Sequence, residues 1–275
     1  ATALIGTSSV TNAAGTNILT STGNSYTGGN TITGGTLQVA TTSSLGANNN
    51  SLAISGNGTL DLKTGTQTQG NVTVTNGNII SGTLTNSGIT FTGGSNNITA
   101  ALAGTGGLTN ASGSTTLTGT NTYSGGTVVS GGSLYVSGNG TLGSTSGTTT
   151  MNDSTLDLGT TTQTQALVSL SNGIATNGTF NNTAILGNGG SNTTATALIG
   201  TSSVSNAVGT NTLTSSGNSY TGGNTITGGT LQVATTSSLG ANNNSLAISG
   251  NGTLDLQTGT QAQGVVTVTN GNIIN

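Results

Sequence analysis

The chain repeats itself, and no other feature limits its possible folds as strongly. Residues 1–80 return as residues 195–274 with seven substitutions in 80 positions, a period of 194 residues. A looser copy lies at half that spacing, since Asn24-Ser-Tyr26-Thr-Gly28-Gly29, Asn121-Thr-Tyr123-Ser-Gly125-Gly126 and Asn218-Ser-Tyr220-Thr-Gly222-Gly223 are 97 residues apart. The chain therefore reads as internal repeats 1–97, 98–194 and 195–275. A finer period runs through the aliphatics: Ile32, Leu52 and Val72 follow at steps of 20 residues, as do Ile226, Leu246 and Val266. A step of about 20 residues is the length of one solenoid coil, whose apolar face is buried only by stacking on its neighbours. The expectation is one continuous solenoid over 1–275, about 13 to 14 coils of ~20 residues, with Ile32 over Leu52 over Val72 on one inward face.

Around these positions apolar and polar residues alternate, as in Leu37-Gln38-Val39, Leu52-Ala53-Ile54, Leu60-Asp61-Leu62 and Val72-Thr73-Val74. Alternation at period two marks short strands with one buried face. Between the strands, Gly34-Gly35, Asn57-Gly58, Asn76-Gly77, Gly131-Gly132 and Asn172-Gly173 provide residues that tolerate positive φ in a turn. Asn-Gly is also a strong hairpin signal, so an antiparallel sandwich or meander is the rival arrangement. The 20-residue step favours the parallel solenoid, because hairpins recur at roughly 8–12 residues and need no ladder of matched aliphatics. The fold class expected is all-β, a parallel β-helix.

Composition narrows the chemistry. Charged residues are 2% of the chain, and all of them can be named: Asp61, Asp153, Asp157, Asp255 and Lys63. Without Glu, Arg, His or Cys, acid–base, nucleophilic and metal chemistry have almost no residues to use. No catalytic activity, cofactor or metal is expected. The formal net charge of −3 leaves no basic face for nucleic acid or anionic lipid. No apolar run approaches the ~18 residues of a membrane span. A stacked strand also disfavours charge, because identical charges repeated about every 4.8 Å repel. Thr and Asn, by contrast, suit outward positions on a stacked strand.

Few side chains are candidates for a site. Asp61, Asp157 and Asp255 each lie between two inward leucines, which directs the carboxylates outward to a solvated position. Asp153 and Asp157 are neighbours in sequence, yet four residues of strand separate their α-carbons by roughly 13 Å, and no cation is at hand to stabilise developing charge. Lys63 shares a face with Asp61 as an incidental surface contact. Alternating threonines such as Thr64, Thr66 and Thr68, or Thr73 and Thr75, invite an ice-binding reading, but Gln, Asn, Ser and Asp interrupt the array. Tyr26, Tyr123 and Tyr220 recur at a fixed phase of each half-repeat. Packing at a coil corner is one reading of them, and an exposed row of rings for glycan contact is the other.

The segment Gly106-Gly-Leu-Thr-Asn-Ala-Ser-Gly-Ser-Thr-Thr-Leu-Thr-Gly-Thr-Asn-Thr-Tyr-Ser-Gly-Gly126, continuing to Val136, resembles the passenger-associated transport repeat of autotransporters, with echoes at Asn24–Val39 and Asn218–Val233. The resemblance implies a right-handed parallel β-helix displayed on the bacterial cell surface, and right-handed crossover agrees with the general rule. It carries no residue roles with it. The function expected is an extracellular structural rod or fibre, with a glycan- or surface-binding adhesin as the alternative. Self-association, end to end or in fibres, and cell-surface glycans are the partners expected. Ala1 aligns with the interior Ala195 and Asn275 with the interior Ser81, so the stack is expected to continue at both ends.

Overall fold

The computed structural model describes residues 2–40, 45–234, 239–257 and 259–275. Ala1, one of the two residues on which the expected continuation rests, lies outside them. The described residues form strands and turns with no helix, so none is long and apolar enough to cross a membrane. About 13 turns follow one another along the chain roughly 19 residues apart, and their strands pair in parallel. The chain divides into two compact units, residues 1–144 and 145–275.

In the first unit the alternating residues build three inward ladders. Leu52, Val72, Ile89 and Leu108 are stacked partners on one face. Ile32, Ile54, Val74 and Phe91 form the second. Leu37, Leu60, Ile79, Ile98, Leu117 and Val136 form the third. All are buried, and full burial of such a side chain contributes about 1.5–3 kcal/mol.

The second unit is built alike. Val168, Ile185 and Val204 stack in one row, Ile226 lies on Ile248, and Leu231 on Leu254. Phe180 and Leu198 are partners in a separate three-stranded sheet.

One register differs from the expectation. Leu52 does lie on Val72, but Ile32 pairs with Ile54, and it is Asn30 that sits over Leu52. The coil from Asn30 to Leu52 spans 22 residues and the next, to Val72, spans 20. A constant step of 20 therefore misplaces the partner by two residues. Because side chains alternate, a slip of two keeps the same face inward, so the burial pattern survives while the partners change.

The Asn-Gly pairs turn the chain into the next face of the coil instead of folding it back, which removes the hairpin rival. In these pairs Asn takes the positive φ, at 61° for Asn57, 58° for Asn76 and 54° for Asn172. In the Gly-Gly pairs it is the second glycine, at 62° for Gly35 and 64° for Gly132. These residues stack on one another: a Cβ on Gly132 would come within 2.0 Å of the Gly113 carbonyl, and one on Gly113 within 2.5 Å of the Gly94 carbonyl. At Gly113 and Gly132 the column is closed to side chains by backbone approach as well as by φ.

Candidate functional site

Each recurring tyrosine is placed by the Tyr-x-Gly-Gly segment that leads into the next strand. Tyr26, Tyr123 and Tyr220 are 0%, 1% and 0% exposed. An exposed row of rings for glycans is therefore not what the structure contains at these positions, and none of the three offers a ring face to a sugar. The physical reason is the corner facing them, where Leu45-Gly46, Leu142-Gly143 and Leu239-Gly240 close on the rings. A Cβ on Gly46 would lie 2.9 Å from the Tyr26 ring, and one on Gly143 would lie 2.7 Å from that of Tyr123.

The buried hydroxyls need partners, and inward polar residues supply them. Tyr26 Oη donates to Asn30 Oδ1 at 2.5 Å, and Asn30 Nδ2 donates to the Leu45 carbonyl at 3.1 Å and to Gln69 Oε1 at 3.0 Å. Asn50 Nδ2 donates to the Tyr26 carbonyl at 2.9 Å. The second copy repeats this with Tyr220, Asn224 and Asn244. In the intervening half-repeat Tyr123 Oη and Thr127 Oγ1 are 2.7 Å apart. Burial pushes the Tyr26 phenol up to about 12, against the opposing pull of its bond to Asn30. The same cause raises Tyr123 and Tyr220 further.

Asn30, Asn50 and Gln69 were not singled out from sequence. The signal was present, since Asn30 occupies an inward phase of its strand and returns unchanged as Asn224.

The three matched aspartates do point away from the leucine core, yet each is engaged by its own turn. Asp61 Oδ1 accepts the Lys63 N–H at 2.9 Å, Asp157 Oδ1 the Gly159 N–H at 2.8 Å and Asp255 Oδ1 the Gln257 N–H at 3.0 Å. This Asx bond two residues on stabilises the positive φ of 53°, 54° and 49° at Lys63, Gly159 and Gln257. Asp61 is also more covered than a solvated position, at 6% exposure, and pairs with Lys63 Nζ at 2.9 Å. Burial alone would raise its carboxyl, but the bonds to Lys63 outweigh it and hold the group below the ordinary value.

Asp153 and Asp157 do not converge. Asp153 accepts from Asn172 Nδ2 at 2.9 Å, whereas Asp157 accepts from Asn177 Nδ2 at 2.8 Å. Among the described residues no group of three or more potential ligands is placed to hold a metal.

Outward threonines form rows that alanines break. Thr31 is followed by Ala53 before Thr73 and Thr90, and Thr66 and Thr83 lead to Ala101. Tyr135 is the exposed tyrosine, at 39% on the outer face of Ser133–Val136.

The family model described as Passenger-associated-transport-repeat matches residues 14–39, 112–136 and 208–233. These segments are one structural unit in three copies, from the positive-φ column through the tyrosine corner to the following strand. No curated protein and no solved structure matches the chain.

Proposed function

The chain is a parallel β-solenoid that carries three passenger-associated transport repeats, and from that premise we propose that it is a structural, non-catalytic scaffold, a stiff rod or fibre that spaces, sheathes or attaches cells. Repeats of this kind belong to autotransporter passengers, which are secreted or surface-exposed, and this supports an extracellular location in general terms. Display on a bacterial surface is part of the proposal.

One observation carries the reading: the residues that could perform chemistry are used to build coils. The recurring tyrosines close corners, Asn30, Thr127 and Asn224 partner their hydroxyls, and three of the four aspartates bond their own turns. The almost uncharged strands suit close stacking, and self-association end to end or side by side is the partner proposed for such a rod.

Electron microscopy of secreted proteins carrying different numbers of the 194-residue period tests this. Extended particles should lengthen by roughly 48 Å per period, at ~4.8 Å per coil and about ten coils of roughly 19 residues. Compact particles whose longest dimension does not grow with repeat number would overturn it.

A further inference from the structure

Of the six aromatic side chains in the chain, five are buried and Tyr135 alone is exposed. It stands on an outer face where three successive coils align their outward residues in two files. Ser95, Ser114 and Ser133 are stacked partners in one file, and Asn97, Thr116 and Tyr135 in the other. Coils ~4.8 Å apart place the α-carbons of Asn97 and Tyr135 roughly 10 Å from each other, with Thr116 between them. Side chains on a strand stand roughly perpendicular to the sheet. The Tyr135 ring and the Asn97 amide are therefore two walls of a shallow trough, floored by Thr116 and flanked by short serines.

The coil does not require a ring here. Gln38 and Gln232 hold the matching place 97 residues to either side. Each ties its coil to the next, Gln38 Nε2 donating to Asp61 Oδ2 at 3.3 Å and Gln232 Nε2 to Asp255 Oδ2 at 3.2 Å. Gln232 Oε1 also accepts from Thr212 Oγ1 at 3.1 Å. Tyr135 gives up this tie, and among the described residues neither its hydroxyl nor the side-chain amide of Asn97 is hydrogen-bonded within the chain.

We propose that this trough binds a neutral hexopyranose residue of a glycan, with Tyr135 as the stacking ring and Asn97 as the hydrogen-bonding wall. A pyranose has a face of C–H groups and a rim of hydroxyls. The C–H face is attracted to the negative face of an aromatic ring and covers its exposed apolar surface. Two adjacent hydroxyls match the Asn97 amide, one donating to Oδ1 and its neighbour accepting from Nδ2. Thr116 and Ser114 are short enough to let the sugar down between the walls. None of the six residues is charged, so nothing among them balances a phosphate, a carboxylate or an amine. The inference goes beyond the scaffold reading and does not rest on it, since a rod with or without a sugar site remains a rod.

NMR on the whole chain carrying ring-labelled tyrosine tests it, with cellotriose, maltotriose and lactose as the probes. At least one of them should shift the Tyr135 ring signals with millimolar affinity while the signals of Tyr26, Tyr123 and Tyr220 stay in place. Tyr135→Gln installs the residue that the other half-repeats carry, so the coil should keep its melting temperature. Saturation transfer to the bound sugar should show affinity reduced by about tenfold or more in that variant. Tyr135→Phe should retain binding, and Asn97→Ala, two coils away, should weaken it by about threefold or more. No shift at Tyr135 with any of the three sugars, shifts confined to the buried tyrosines, or undiminished transfer in Tyr135→Gln would overturn the proposal.

Discussion

Tyr26, Asn30 and Gln69 form a polar cluster inside an otherwise aliphatic stack, and its stability depends on every hydrogen bond being made. Tyr26→Phe keeps the ring but leaves Asn30 Oδ1 without its phenol donor. A loss of about 1–3 kcal/mol is expected in denaturant unfolding. Asp61 gives a second contrast. Its useful bond is the one to the Lys63 N–H, which Asn can still make, so Asp61→Ala should cost about 1 kcal/mol and Asp61→Asn clearly less. The ion pair to the half-exposed Lys63 side chain adds little, within the ~0–1 kcal/mol of surface pairs. Lys63→Gln, which places there the residue found at Gln257, should leave the unfolding midpoint nearly unchanged. A large loss in that variant would show that the pair, not the turn, is what Asp61 supports.

The coil corner is the element on which the stack depends. Its positive-φ column admits residues without a Cβ, or Asn where there is room. Two glycines separate the two causes. Gly138 has φ 59° and open space around a notional Cβ, whereas Gly132 has φ 64° and the Gly113 carbonyl 2.0 Å away. Gly138→Ala should cost only the strain of a left-handed residue, about 1–2 kcal/mol. Gly132→Ala should cost distinctly more, because the backbone of the adjacent coil must move. Paired thermal melts of the two variants check this, and equal losses would show that steric approach adds nothing to the φ requirement.

For the whole molecule, the few titratable groups predict how stability follows pH. Tyr26, Tyr123 and Tyr220 have raised pKa values in the folded chain, near 12 for Tyr26, against about 10 for an unfolded tyrosine. Their contribution is complete below about pH 10 and is lost as pH rises from there towards the folded values. Asp61 works in the opposite direction. Its lowered pKa contributes stability above the unfolded value of about 4, and that contribution is lost in stronger acid. With no His, the melting temperature should be flat from about pH 5 to 9. It should then fall above about pH 10, and a midpoint that holds through pH 11 would contradict the tyrosine assignment.

Period, alternation and turn residues were enough to read the parallel solenoid, because a coil buries its apolar face only when aliphatics return at matched phase. The recurrence of Leu52 and Val72 at one inward phase determined their stacking, and the Asn-Gly and Gly-Gly pairs marked the corners. The tertiary structure decided what depends on exact coil length and on contacts across coils. Whether Ile32 meets Leu52 or Ile54 turns on two residues of loop, which a two-residue side-chain period cannot register. Whether Tyr26 faces solvent or the Leu45-Gly46 corner depends on a segment about 20 residues away in the next coil. Asn86 has the same composition-level signature as dozens of other asparagines in the chain. Only the neighbouring coils leave its buried amide without a partner.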